Sequence, residues 1–191
     1  MKSNSVLRLS LTALMAALCY IGFQYLKIDI PLPTGAVAIH FGNAFCVLGA
    51  LLLGGFYGGL AGAVGMTLGD LFNPLYIMSA PKTFILKLCI GLITGLVAHK
   101  IAKLSKSSDK SYTLKWTILA ASAGMGFNVI FEPIVSFLYN RFLLGADANA
   151  AKILATWMGG VTLFNAVTSV IIATVLYLAL SKNSKIKSLI Q

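Results

Sequence analysis

Long apolar segments, interrupted by short charged or proline-containing stretches, occupy most of this sequence. Between Trp116 and Tyr139, for example, the only formal charge is that of Glu132. A helix needs about 20 predominantly apolar residues to cross the hydrocarbon core of a bilayer. Of the 191 residues 58% are hydrophobic and only 10% are charged, so the chain lacks the charges that cover a soluble domain. The sequence therefore predicts an integral membrane protein.

We predict an all-α integral membrane protein with six transmembrane helices, in which residues 1–191 form a single membrane domain. Lys2 and Arg8 precede the first apolar run, but no convincing small-residue cleavage site follows it, so we interpret this run as a retained first helix. The second and third spans are short, and we expect them to be tilted, incomplete or shielded by neighbouring helices. The predicted spans are 6–26, 40–55, 57–72, 82–102, 114–140 and 151–180.

The basic residues predict the orientation of these helices. Ten of the fifteen Lys and Arg residues lie before the first span, between the fourth and fifth spans, or after the sixth. Lys/Arg-rich loops remain cytoplasmic, so both termini are predicted to be cytoplasmic, with loops 27–39, 73–81 and 141–150 outside. The net charge of +10 is therefore a topology signal and does not indicate nucleic-acid binding. These ten residues are Lys2, Arg8, Lys100, Lys103, Lys106, Lys110, Lys115, Lys182, Lys185 and Lys187.

The sequence carries no motif for catalysis. It contains no G-x-x-x-x-G-K-[ST] and no G-x-S-x-G, so we expect no ATP hydrolysis by this chain and no catalytic residues. His40 and His99 form no H-E-x-x-H pattern, and the three cysteines have no metal or redox spacing. We therefore expect neither a metal nor another cofactor in this chain.

The fifth span contains a costly carboxylate. Glu132 and Asn128 lie four residues apart and therefore share one helix face. Pro133 cannot donate a backbone hydrogen bond, so it is expected to bend the helix and free nearby carbonyl groups. Freed backbone at membrane depth is tolerated where it meets protein or a wet cavity. Either Glu132 faces a ligand cavity, or it is a structural carboxylate paired with a lysine such as Lys87.

Polar groups from several spans are predicted to lie at the same outer level, where they would form a pocket for a small ligand. Local alternatives exist, because Lys82 could snorkel, Asp70 could cap a helix or pair with Lys82, and Trp157 could anchor the membrane interface. The loop 27–39 is either a lid over the pocket or a plain connector. The predicted substrate-binding residues are Glu132, Asn128, Asn165, Trp157, Tyr139, His40, Asn43, Asp70, Asn73, Tyr76, Lys82 and Lys87.

Small residues recur at helical spacing in the first three spans. Glycines four residues apart, such as Gly58 and Gly62, place side-chain-free faces on the second and third spans and favour close helix packing. In the first span Ala13 and Ala17 are one turn apart, with Ala16 beside them. This alanine face is either packed within the chain or a docking surface for a separate membrane protein.

Taken together, these features resemble a known family. The chain has six short predicted spans and a basic loop between spans four and five. The first span carries the A-x-x-x-A of Ala13 and Ala17, and a distinctive stretch follows it. That stretch, after a proline-containing loop, reads AIHFGNAFCVLGALLLGGFYGGLAGAVGMTLGDLFNP. Over nearly its whole length the chain resembles the substrate-binding S component of energy-coupling factor (ECF) transporters, the vitamin-uptake systems of bacteria.

The resemblance implies a mechanism and a set of partners. It implies a vitamin site near the outer face of the bacterial plasma membrane. The protein would contact membrane lipid, and we expect no nucleic-acid partner. Ala13 and Ala17 match the positions at which the first span docks on a transmembrane coupling protein of the EcfT type. Two cytoplasmic ATPases of the EcfA type would use ATP and Mg, and the S component would reorient in the membrane to deliver its ligand.

The substrate is predicted only by class. The stretch from Ile39 to Pro74 resembles a branch associated with riboflavin, hydroxymethylpyrimidine or pyridoxine-like compounds, and cobalamin. We favour a small hydroxylated pyridine or pyrimidine, because aromatic residues can stack on such a ring while Glu132, Asn128 or Asn165 bonds its polar groups.

Two other functional classes stay open at this point. One is a small membrane enzyme acting on a lipid headgroup, with Glu132 as acid or base and Lys82 or His40 as helper. The other is a scaffold protein held by the glycine faces, which would have no enclosed pocket.

Overall fold

The computed structural model describes residues 2–32, 35–107 and 109–182. Lys185 and Lys187, which contributed to the predicted orientation, lie outside the described residues. Helices dominate the described chain. The six α-helices are α1 (Lys2–Gln24), α2 (Gly42–Leu53), α3 (Gly55–Leu71), α4 (Ala80–Gly95), α5 (Lys110–Leu138) and α6 (Ala148–Leu180). A π-helical turn extends α4 over Leu96–Ile101, and another extends α5 over Tyr139–Leu143.

Within the described ranges, four helical segments are long and apolar enough to cross a membrane. They are Ser5–Gln24, Ile77–Ile101, Lys110–Leu143 and Ala148–Leu180. The other two helices, α2 with 12 residues and α3 with 17, are shorter than the roughly 20 residues that a complete span requires. Most residues of α2 are buried by neighbouring helices, as expected for a short helix shielded by the bundle. The count of six complete spans and the cytoplasmic termini stay predictions.

The first outer loop is a β-hairpin, which the all-α prediction omitted. Strands β1 (Lys27–Leu32) and β2 (Gly35–His40) pair antiparallel, from Lys27 opposite His40 to Leu32 opposite Gly35. Ile28, Ile30 and Val37 are β-branched residues that favour a pleated surface. The alternating pattern typical of strands was hard to recognise in the sequence, because the strands are short and prolines interrupt the loop.

Glycines allow α2, α3 and α4 to pack closely. A Cβ atom at Gly58 would overlap the backbone of Gly49 and Ala50, and one at Gly91 would overlap the backbone of Gly59. These contacts explain the glycine faces as packing within the chain, as the glycine spacing predicted. In a membrane, where lipid offers no hydrophobic gain to association, such close backbone packing is a main source of helix–helix attraction.

Aspartates begin the two longest helices. Asp109 accepts a hydrogen bond from the backbone N–H of Ser111, and Asp147 accepts from Asn149 and Ala150. These side chains satisfy N–H groups that the first helical turn leaves without partners. The backbone hydrogen bonds lower the pKa of Asp147, so its carboxylate is charged and complements the positive end of the α6 dipole.

Candidate functional site

A polar cavity lies between the hairpin and the six α-helices. Its described walls come from every helix and from β2, so residues distant in sequence converge on one small space. The cavity volume is about 50 Å³, whereas pockets for drug-sized ligands commonly measure about 300–1,000 Å³. The lining residues are Phe23, Val37, Ala38, His40, Asn43, Met66, Asp70, Tyr76, Ser79, Lys82, Thr83, Lys87, Asn128, Glu132, Met158, Val161, Thr162 and Asn165.

An ion cluster joins α4 to α5 inside this cavity. Lys82 Nζ donates to Glu132 Oε1 at 2.6 Å, and Lys87 Nζ donates to Glu132 Oε2 at 3.3 Å. All three side chains are buried. The two lysines lie five residues apart on α4 and approach the same carboxylate from adjacent turns. Both sequence interpretations therefore apply, because Glu132 is paired with Lys87 and also lines a cavity.

Several buried polar atoms around the cluster have no hydrogen-bond partner among the described residues. They are His40 Nδ1, Asn43 Oδ1, Asp70 Oδ2 and both polar atoms of the Asn128 amide. Each of these residues lines the cavity and is at least nine-tenths buried. Leaving a buried polar atom without a partner costs about 1–3 kcal/mol. Such a concentration of unmet donors and acceptors is typical of a site that binds a polar molecule.

The hairpin covers the cavity and is attached on both of its strands. On β2, Asn165 of α6 accepts from the His40 backbone N–H at 3.1 Å and donates to the Ala38 carbonyl at 2.9 Å. On β1, Asp29 accepts from the Tyr76 hydroxyl at 2.7 Å. The loop 27–39 therefore has the position of a lid, as one sequence interpretation required.

The Asn165 side chain acts differently from the prediction. Its amide oxygen and nitrogen both bond the β2 backbone, in the way that a neighbouring strand would. Asn165 lines the cavity, but its polar atoms hold the hairpin against α6 and are not among the unmet groups.

Lys27 adds a second charged contact at the edge of the hairpin. Its ammonium group lies 3.1 Å from the Asp29 carboxylate and 4.8 Å from the centre of the Tyr76 ring. The Phe23 ring lies 5.7 Å away on the same side. Both rings line the cavity, so a cation–π contact connects the lid edge to the cavity wall.

Nine of the twelve predicted substrate-binding residues line the cavity. The other three do not. Asn73 accepts from the Leu75 backbone within a turn, Tyr139 lies half-buried in the π-helical turn after α5, and Trp157 is exposed on α6. For Trp157, the anchor interpretation fits its exposure better than a role in the cavity. The nine that line it are His40, Asn43, Asp70, Tyr76, Lys82, Lys87, Asn128, Glu132 and Asn165.

The apolar residues that line the cavity were not predicted from the sequence. Phe23, Met66, Met158 and Val161 line it, yet in the sequence they look like ordinary lipid-facing or core residues. Ser79 and Thr83 were also missed. The only available signal was spacing, because Thr83 lies one residue from Lys82 and one turn from Lys87 on α4.

The predicted docking alanines divide between two surfaces. Ala13 and Ala17 are exposed on the outside of α1, whereas Ala16 is half-buried and packs against the core. A Cβ atom at Gly65 of α3 would overlap the Ala16 carbonyl, so Ala16 belongs to the α1–α3 contact. Ala13 and Ala17 are thus available to a partner, and Ala16 is not.

No group of three or more His, Cys, Asp or Glu side chains suited to a metal ion occurs within the described ranges. Glu132 and Asp70 are the carboxylates that line the cavity, and lysines line it beside them. These side chains can form hydrogen bonds and ion pairs with a bound molecule.

The chain was compared with protein-family models, curated proteins and solved structures. A search of curated proteins and a search of solved structures each returned no match. A family model described as "ECF-type riboflavin transporter, S component" matches residues 3–182, nearly the whole chain. The match agrees with the apolar helices, the small-residue packing and the convergence of buried polar groups on one cavity. The chain therefore belongs to the family of ECF-type riboflavin transporter S components.

Proposed function

We propose that this chain captures a compact, uncharged vitamin ring in the cavity beneath the hairpin and delivers it through an ECF-type importer in the bacterial plasma membrane. Membership in the S component family makes the chain a substrate-binding transport subunit. The observation that carries the finer proposal is the convergence of buried ionic and unmet polar groups in one cavity.

The balance of charges in the cavity favours a neutral ligand. Lys82 and Lys87 contribute two formal positive charges, and Glu132 and Asp70 contribute two formal negative ones. An anionic ligand such as a phosphate ester would need an excess of cations there. A hydroxylated pyridine or pyrimidine is uncharged overall and supplies both donors and acceptors, which suits the Asn128 amide and the His40 imidazole.

The size of the cavity also favours a compact ligand. A volume of about 50 Å³ holds about four water molecules, so even a single substituted ring requires the walls to move apart. A pyridoxine- or hydroxymethylpyrimidine-like ring needs the smallest displacement. Riboflavin is the second candidate, because the family description names it.

Movement of the hairpin provides the access route in this proposal. The β2 strand is tied to α6 by the Asn165 amide and by a separate apolar cluster that includes Val37 and Leu154. The β1 strand pairs with β2, and its Ile30 and Leu32 pack against the same apolar cluster. Among the described residues its other attachments are the Asp29–Tyr76 hydrogen bond and the Lys27 contacts. We therefore propose that the ligand passes between β1 and the Tyr76 segment while β2 stays on α6.

Delivery requires a partner complex. The family implies association with an ECF module, whose coupling protein and ATPases supply the energy. The exposed Ala13 and Ala17 of α1 offer a surface on which another helix can approach closely. The enzyme alternative is not favoured, since the family consists of transport subunits.

Mass spectrometry of the purified protein tests this function. We expect one vitamin to co-purify with the unmodified chain, to be released on unfolding, and to be absent from a Glu132→Ala variant prepared in parallel. Recovery of no metabolite, together with no binding when vitamins are added back, would contradict the proposal.

A further inference from the structure

We propose that Val161 of α6 sets the size limit of the ligand chamber, by separating the polar cavity from an apolar groove on the outer side of α6. The inference rests on the proposed function, since it concerns which ligands that cavity accepts. A second space borders the cavity at this residue. The groove has a volume of about 390 Å³ and is lined by Ile39, Thr156, Trp157, Gly160, Val161 and Phe164.

The position of Val161 follows from helix geometry. With 3.6 residues per turn, Met158, Thr162 and Asn165 share one face of α6, and all three line the polar cavity. Trp157, Gly160 and Phe164 share the adjacent face and line the groove. Val161 lies between the two faces, and it lines both spaces. A single buried side chain therefore stands between a polar cavity and an apolar one.

Gly160 adds open space to the groove. A Cβ atom built on Gly160 meets nothing within 4 Å, so a side chain at this position would extend into open space. The exposed rings of Trp157 and Phe164 are its neighbours on the same helix face. The only side-chain hydroxyl in the groove, that of Thr156, bonds the Lys152 carbonyl at 2.9 Å. The lining of the groove is thus mainly apolar.

The ligand preference follows from this arrangement. The ionic cluster binds the polar edge of a ring, and the Val161 side of the chamber is a continuous apolar wall with Val37 and Met158. With Val161 present, the chamber would accept one ring with small substituents once its walls have moved apart. If the valine is shortened, the chamber joins the groove, and a ligand with a bulky apolar edge, such as the dimethylated ring of riboflavin, gains space without losing its polar contacts.

Equilibrium binding of pyridoxine, hydroxymethylpyrimidine and riboflavin to purified variants tests this inference. For Val161→Ala we expect riboflavin affinity to rise at least about tenfold relative to the best single-ring ligand, a usual effect of a small volume change in an apolar pocket. Val167→Ala makes the same change at an exposed position of α6 that lines neither space, and it should retain the original selectivity. Thermal unfolding of each variant checks that it is folded.

A second substitution isolates the groove. Gly160→Leu fills the groove without touching the polar cavity, so alone it should leave binding unchanged, and combined with Val161→Ala it should cancel the gain for riboflavin. Unaltered size selectivity in Val161→Ala, or a gain that survives Gly160→Leu, would overturn the inference. Tight riboflavin binding by the unmodified chain would also overturn it while leaving the transport function intact. Failure of the unmodified chain to bind any of the three would overturn the proposed function, and this inference with it.

Discussion

Lys82 Nζ lies 2.6 Å from Glu132 Oε1, so α4 and α5 are joined by an ion pair inside the cavity that we assign to the ligand. Desolvating two charges costs several kcal/mol per ion, which the attraction within a buried pair seldom exceeds by much. A pair retained at this depth is therefore weak evidence for stability and stronger evidence for function. Asn128 and Asp70, which carry polar atoms without hydrogen-bond partners among the described residues, line the same cavity.

Replacing Glu132 tests this assignment. Glu132→Ala should raise the dissociation constant of the ligand by roughly a hundredfold, the equivalent of about 2.7 kcal/mol, because an acceptor is lost and two lysines remain unpaired. Isothermal titration calorimetry measures the affinity, and Glu132→Gln tests the charge at nearly constant shape. Equal affinity in all three proteins would remove Glu132 from the site.

The hydrogen bond between Tyr76 and Asp29, which we call the hairpin latch, predicts an effect on the rate of ligand dissociation. Tyr76→Phe removes the 2.7 Å hydrogen bond to Asp29, worth about 1 kcal/mol, and should accelerate ligand dissociation roughly fivefold. Asp29→Ala should have a similar effect, and the double variant should be no faster than the faster single variant. Stopped-flow measurements provide the rates. Tyr112→Phe, which loses a hydrogen bond to Ala102 in another part of the chain, is the matched control. Additive effects of the two hairpin variants would exclude a shared latch.

The exposed alanines of α1 predict a separation of binding from transport. Ala13→Leu or Ala17→Leu should leave ligand affinity unchanged while reducing vitamin uptake by cells at least about tenfold, because a bulky side chain prevents close helix approach. Val167→Leu, which changes an equally exposed position on α6, should not reduce uptake. Normal uptake by both alanine variants would show that this face docks no partner.

Close packing at Gly91 predicts a large effect on stability. An added methyl group there overlaps the backbone of Gly59, so Gly91→Ala should destabilise the fold by about 1–3 kcal/mol or prevent folding. Gly126→Ala is the matched control, since its Cβ meets nothing within 4 Å and alanine favours the helix. Thermal unfolding in detergent compares the two. A Gly91→Ala variant as stable as Gly126→Ala would contradict the packing described here.

Much of the site could be predicted from the sequence, because burying polar and charged side chains among apolar residues is energetically costly. Glu132, Asn128 and Asp70 stand out among apolar neighbours, and all three line the cavity. Spacing alone could not exclude Tyr139, which is predicted to share a helix face with Glu132 but lies two turns further on, in the π-helical turn after α5 and beyond the cavity.

The remaining features depend on contacts between distant parts of the chain. Nothing in the local sequence indicates that the Asn165 amide bonds the backbone of Ala38 and His40, some 125 residues away in the chain. The hairpin was hidden for a related reason, since β2 depends on that amide and on apolar contacts with α6 as well as on its own short strand pattern. Val161 has no distinguishing chemistry, and only its place between two cavities singles it out.

Binding of a vitamin panel to the unmodified protein, with Glu132→Ala beside it, tests the central claim most directly. The account predicts tight, saturable binding of pyridoxine or hydroxymethylpyrimidine, displaced by neither riboflavin nor cobalamin and strongly weakened in the variant. Tight binding of riboflavin or cobalamin with none of either single-ring vitamin, or binding that is indifferent to Glu132, would contradict it.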